Sequence, residues 1–303
     1  MPAYDFVTVN VFTAQRFGGN PLAVFPDAVG LTDAQMQDIA AEFNLSETTF
    51  VLPPADPRHH ARVRIFTPKT EMPFAGHPNV GTGYVLARIA GDPPEHYVFE
   101  ELAGLVRVHI LRDLAGAISG ARISAPRSLS LDVAVPPEIV AACTGLAETD
   151  VTDETHAPVV ASVGTPFVIA EVASVEALSR ARPVAAAFED AVPRFPSLSG
   201  RFNVLLYARR GESLIQLRAR MFAPLAGVPE DPATGSGAAA AMAGVLMHFE
   251  QPEDGDHIVT IEQGVEMGRP SQIVASASKT GEGPVMATVS GTCVPVGRGT
   301  LEV

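Results

Sequence analysis

Apolar and polar residues alternate through much of this chain, with the period of two that marks half-buried strands. The alternation runs from Phe6 to Phe12, returns in Arg62-Val63-Arg64-Ile65-Phe66, and returns again in Arg218-Ala219-Arg220-Met221-Phe222. Proline stops the last two runs soon afterwards, at Pro68 and Pro224. Between the strands lie stretches with helical spacing: Thr32 to Phe43, Val80 to Ile89, Ser174 to Ala181 and Ala238 to Met247. This mixture predicts an α/β chain of the α+β kind.

The order of these elements occurs twice. Gly19-Asn20-Pro21-Leu22-Ala23-Val24 parallels Gly164-Thr165-Pro166-Phe167-Val168-Ile169. Each copy continues with a helical stretch, a further strand (Thr48 to Leu52; Asn203 to Ala208), the proline-stopped strand, a glycine loop and an apolar helix. The loops are Met72-Pro73-Phe74-Ala75-Gly76-His77 and Asp231-Pro232-Ala233-Thr234-Gly235-Ser236. An internal duplication of this kind predicts two similar lobes related by a pseudo-two-fold axis. Each would be a mostly antiparallel, barrel-like sheet around a central helix of small residues. The expected division is residues 1–126 with 287–303 against 127–286, with the active site in the cleft between.

Both loops place a glycine where a helix begins. The first-turn N–H groups of a helix lack internal partners and carry partial positive charge, and glycine lets them approach a ligand. Paired loops therefore suit a small carboxylate. Ordinary helix capping by Asn79 or Ser236 is the simpler reading of either loop taken alone. Neither loop fits the phosphate-binding GxxxxGK[ST] pattern, and Gly81-Thr82-Gly83 lacks the third glycine of a dinucleotide fingerprint. The side chains available for chemistry are His77, Asp231, Ser236 and Glu47. Leu45 and Phe50 near Glu47 suggest partial burial, which would suit a proton carrier at neutral pH.

Composition narrows the field. The 303 residues are 47% hydrophobic and 18% charged, enough for a real core and long enough for two domains. A net charge of −13 argues against nucleic acid or an anionic membrane as partner. The longest apolar stretch, Ala238 to Met247, falls short of the ~20 residues that span a bilayer. The N-terminus shows no basic segment leading into an apolar one, so a cytoplasmic protein is expected. Cys143 and Cys293 form no CxxC pair and read as reduced core thiols. His59-His60 lacks a third ligand at metal spacing, and Glu253 to Asp256 lacks the calcium-loop spacing, so no metal is expected. The absence of a G-x-S-x-G elbow leaves a hydrolase triad without an anchor.

Several motifs together resemble the PhzF-like phenazine-biosynthesis family of the diaminopimelate-epimerase fold group. They are Phe17-Gly18-Gly19-Asn20-Pro21-Leu22, Leu45-Ser46-Glu47-Thr48, Phe74-Ala75-Gly76-His77-Pro78, Asp231 to Gly237, and Gln263-Gly264 with Met267-Gly268-Arg269-Pro270-Ser271. The resemblance implies a two-lobed, homodimeric, cofactor-independent isomerase. Glu47 would be the acid/base that moves a proton and with it a double bond, while His77 and Asp231 assist. Gly235 and Ser236 would bind the substrate carboxylate, Gly76 would line the opposite loop, and Asn20 would make a polar contact. Dihydro-3-hydroxyanthranilate is the candidate substrate. Related epimerases carry two thiols at positions corresponding to Ala75 and Thr234, so two-thiol racemisation is disfavoured here. A non-catalytic binding protein on the same fold, and a racemase using Glu47 and Asp231 as bases, are the alternatives.

Overall fold

A computed structural model describes residues 2–198, 200–211, 213–235, 239–250, 254–281 and 283–303, without the side chains of 213 and 214. The chain divides into two compact units, residues 1–124 with 290–303, and residues 125–289.

The first unit contains β1 (Ala3–Val11), β2 (Asn20–Phe25), α1 (Asp33–Phe43), β3 (Glu47–Leu52), β4 (Ala61–Phe66), β5 (Glu71–Met72), α2 (Gly76–Ala90), β6 (His96–Glu101), β7 (Gly104–Arg112) and β8 (Ile118–Ser124). The strand expected from Phe6 to Phe12 thus begins earlier and stops at Val11, because Phe12 turns into the left-handed region at φ 63°. The pairings β1–β2, β2–β3, β3–β4, β4–β6, β6–β7 and β7–β8 follow in turn. The last long strand of the chain, numbered below, pairs with both β8 and β1 and closes the ring. The result is the predicted barrel, antiparallel except at β2–β3 and β4–β6.

The helix α2 packs against strands from different parts of this ring, and two glycines let it fit. A Cβ at Gly81 would lie 2.5 Å from Leu22 Cδ2 and 2.8 Å from Val11 Cγ2. One at Gly83 would lie 2.5 Å from Val108 Cγ1. These glycines are packing residues of a helix surrounded by strands. Pro78 sits in the first turn, where its missing N–H costs no helical hydrogen bond. On the other face of the sheet, α1 covers Phe25, Phe50 and Phe66, with Met36, Ile39 and Ala40 as its buried residues in that cluster. A Thr32–Gln35 capping box fixes its start.

The second unit contains β9 (Ser130–Ala134), α3 (Pro137–Thr144), β10 (Val151–Thr152), β11 (Val159–Ser162), β12 (Pro166–Val172), α4 (Val175–Arg180), α5 (Ala185–Ala191), β13 (Val204–Arg210), β14 (Ser213–Ala223), β15 (Val228–Asp231), α6 (Ala240–Glu250), β16 (Gly255–Gln263) and β17 (Ser271–Lys279). The final strand, β18 (Met286–Glu302), begins in this unit and ends in the first. Pairing is parallel at β12–β13, antiparallel at β13–β14 and β14–β15, and parallel at β14–β16. The first unit has the same series at β2–β3, β3–β4, β4–β5 and β4–β6. The duplication read from sequence is therefore a duplication of ladders. The second copy differs by α5 and short 3₁₀ turns inserted between α4 and β13.

The equivalent helix α6 packs on β11, β12, β16 and β17. Its C-terminal Glu250 is held by Arg209, which also binds Glu171 at 2.8 Å. Arg220 is buried, pairs with Glu230 through both carboxylate oxygens at 2.8 Å, and donates to Ala181 O at the end of α4. Among the described residues no helix is long and apolar enough to cross a membrane.

The close fit at Gly81 reverses the usual effect of a helical glycine. Gly→Ala in a helix ordinarily gains up to ~1 kcal/mol, but here the methyl group must displace Leu22 and Val11. Gly81→Ala is expected to lower the unfolding free energy by about 1–3 kcal/mol in urea titrations. Equal or greater stability would mean that α2 is not confined as described.

Candidate active site

Glu47 opens β3, and the two-residue period of the strand decides where it points. Phe50 and Leu52 lie on the side covered by α1. Thr49 faces α2 instead, where its Oγ1 meets Thr82 Oγ1 at 2.8 Å. Glu47 shares that side, and its Oε2 lies 3.2 Å from His77 Nε2. The carboxyl is mostly enclosed, with a side chain 17% exposed against 6% for His77.

His77 is the second residue of α2. Its Nδ1 lies 3.2 Å from Asn20 Nδ2 on β2. The Nδ1 side of the ring thus faces the Asn20 amide, and the Nε2 side faces Glu47. Burial pushes the imidazole down to about 3, opposed by the Pro21 carbonyl. The ring is neutral at pH 7. Its approach to Glu47 is therefore the contact of a neutral imidazole with a carboxyl, not an ion pair.

Gly76 is buried at the first position of α2, after Ala75 in extended conformation. Alanine has no side-chain acceptor, so no side chain caps this end. Asn79, a capping candidate in the sequence, works differently: its Nδ2 donates to Ala75 O at 2.9 Å. That bond steadies the loop and leaves the first-turn N–H groups without a side-chain cap.

In the second unit Asp231 ends β15 and is buried. Thr234 Oγ1 donates to Asp231 Oδ2 at 2.5 Å. Gln263 Nε2, at the end of β16, donates to Asp231 O at 2.8 Å and to Thr234 Oγ1 at 3.1 Å. Its Oε1 accepts from Thr234 N at 3.2 Å. Ser271 Oγ donates to Pro232 O at 2.8 Å. Gly235 is buried, and Ser236 lies outside the described residues.

The first unit thus gathers Asn20, Glu47, Gly76 and His77, and the second gathers Asp231 and Gly235. Thr234 and Gln263 were missed as orienting partners of Asp231. Their only sequence signal was membership of the quoted motifs. Thr234 spends its hydroxyl on Asp231, so it is neither a thiol substitute nor a spare nucleophile. Cys143 and Cys293 are free and buried, and burial pushes their thiols up, Cys143 to about 12. Neither supplies a thiolate at neutral pH. Among the described residues no group of three or more His, Cys, Asp or Glu is arranged to hold a metal ion. His59 contacts Glu100 Oε1 at 2.7 Å through Nδ1.

Residues 9–299 match the family model described as phenazine biosynthesis-like protein. The chain is 41% identical to an uncharacterized isomerase of Mesorhizobium japonicum, with 99% of each chain covered. It is 36% identical to the trans-2,3-dihydro-3-hydroxyanthranilate isomerase of Pseudomonas fluorescens, covering 98% of this chain and 99% of that one. A crystal structure of a Bacillus anthracis phenazine biosynthesis protein of the PhzF family superposes with a TM-score of 0.87 at 25% identity, with both chains fully covered.

The protonation state of His77 can be tested directly. In the fold its pKa is depressed, so it contributes stability that is present above about pH 6.5 and is lost as pH falls towards 3. Carbon-13 NMR of labelled histidine is expected to show no titration of the His77 ring between pH 8 and pH 5. A midpoint near 6.5 would overturn the assignment of a neutral, buried ring.

Proposed function

The chain belongs to the phenazine biosynthesis-like family, and from that premise we propose that it is an isomerase working by acid/base proton transfer on a small carboxylate-bearing metabolite. One observation carries the proposal: an enclosed carboxyl, Glu47, lies 3.2 Å from Nε2 of a buried neutral imidazole, beside a helix whose N-cap residue makes no side-chain cap. A carboxyl held largely apart from bulk water next to a group that can share its proton suits a residue that takes and returns a proton.

In this reading the ionised Glu47 removes a proton from a substrate carbon, and the electron pair moves into the adjoining π system. The protonated Glu47 then returns the proton to another carbon, and the double bond has shifted. Atoms and electrons balance within the substrate, so the reaction requires no oxidant, reductant or organic cofactor. His77 shares a proton through Nε2 with Glu47 or with the reacting substrate. Asn20 holds the ring from its Nδ1 side. Asp231, oriented by Thr234, assists the proton movement. Gly235 and Ser236 bind the carboxylate, and Gly76 lines the loop before His77. The candidate substrate is dihydro-3-hydroxyanthranilate or a compound like it, after the activity named for the Pseudomonas fluorescens relative. The working form is proposed to be a cytoplasmic homodimer.

The test follows hydrogen isotope. With dihydro-3-hydroxyanthranilate in heavy water, the wild type is expected to incorporate deuterium at carbon. Glu47→Gln should lower that rate by about 10²–10⁴-fold, the range for losing a positioned acid/base, while its melting temperature stays close to that of the wild type. Equal exchange in the variant would remove Glu47 from the reaction. Tight binding of the compound without exchange in the wild type would favour a non-catalytic protein.

A further inference from the structure

A second carboxyl sits on the α2 side of the first unit's sheet, and nothing above uses it. Glu101 ends β6, and in the alternation of that strand it follows Tyr97 and Phe99, both buried. A third apolar residue would ordinarily stand there. On β7 its register partner is Gly104, and Phe99 pairs with the buried Val106. The neighbouring strand β4 contributes the buried Val63 and Ile65. Within the paired stretches Arg62, Arg64, His96, Glu100, Arg107 and His109 occupy the alternate positions, while the Tyr97 phenol, whose acidity burial weakens, shares the side of Glu101 four residues back along β6. On α2 the titratable neighbour is the neutral His77, which contacts Glu47.

Both carboxyl oxygens of Glu101 are buried, and neither has a hydrogen-bond partner of good geometry. The same is true of Asn79 Oδ1. The Asn79 side chain is the polar group that acts on this carboxyl, opposing the burial that pushes it up to about 8. The turn after β6 is tied to the loop before α2 by Ala103 N, which donates to Pro73 O at 3.0 Å. The Asn79 amide thus acts on the carboxyl as a donor, while its Oδ1 still needs one, and a carboxyl that keeps its proton can supply it.

We propose that Glu101 is a positioning residue, held as a neutral acid that donates to Asn79 Oδ1, so that Asn79 Nδ2 stays on Ala75 O and the first turn of α2 keeps its shape. Ionised, Glu101 can only accept. It then competes for Asn79 Nδ2–H, and the Ala75 carbonyl loses its donor. The turn that carries Gly76 and His77 loosens as pH rises. The effect on turnover rests on the isomerase reading above, and the effect on the turn does not.

The experiment uses Glu101→Gln, whose amide donates at every pH. Backbone amide exchange is followed by mass spectrometry in the peptide spanning residues 74–80, corrected for intrinsic rates. Protection in the wild type is expected to fall about tenfold between pH 7 and pH 9.5, and in Glu101→Gln to change by less than about twofold. In isomerase assays the wild-type kcat/KM should fall above a midpoint of about 8, a limb missing from Glu101→Gln, which keeps near-normal activity at pH 7. Should that variant fail to fold, Asn79→Ala serves instead: its turn is expected to be unprotected already at pH 7 and insensitive to pH. Parallel loss of protection in wild type and Glu101→Gln, or no loss in either, would overturn the proposal. Inactivity of both with the exchange difference intact would overturn the isomerase reading and leave the role of Glu101 standing.

Discussion

The first unit depends on a helix enclosed by a closed ring of strands. A ring leaves no open edge, and the helix inside is buried from Gly76 to Val85, with only its last turn, Arg88 to Ala90, exposed. Glycine is the only residue that fits where Gly81 approaches Leu22 and Val11 and where Gly83 approaches Val108. The rest of the site follows from this confinement. The buried first turn is where the helix meets Glu47, and there the sequence places glycine and histidine behind an alanine that cannot cap.

Confinement also sets the electrostatics. His77 and Glu101 lie where water does not reach, and burial moves both towards their uncharged forms, the base downwards and the acid upwards. Uncharged groups can hold hydrogen bonds of fixed sense. Asn79 to Ala75 is one such bond, and Asn20 faces the Nδ1 side of His77. Glu47 meets a neutral imidazole, and Glu101 meets the Asn79 amide. The same low polarity that makes an unpaired group costly makes a correctly paired one rigid.

The two ladder sets share topology and diverge in chemistry. At the first loop a histidine follows the glycine, and the supporting bonds come from asparagines. At the second loop Thr234 binds Asp231, and Gln263 ties both to β16. Duplicated backbones thus present different side chains at equivalent helix starts. Ala75 accepts from Asn79 through its carbonyl, and Thr234 donates its hydroxyl to Asp231.

Much of this was legible in the linear chain. The alternation of Arg62 to Phe66 and Arg218 to Phe222, the repeated glycine loops and the apolar helices follow from local periodicity, which needs no partner to be read. Glu47, His77 and Asp231 stood out because the motifs around them did. What the chain could not reveal depends on neighbours far away in sequence. Nothing near Asn79 says that its amide turns back to Ala75 instead of capping. Nothing near Glu101 separates it from its outward-facing neighbour Glu100, since a pair of glutamates before a turn reads as solvated surface. One residue of register sends Glu100 to His59 and Glu101 to the side of α2. That choice belongs to the sheet, because a strand's two faces acquire inside and outside only when the ring closes around a helix.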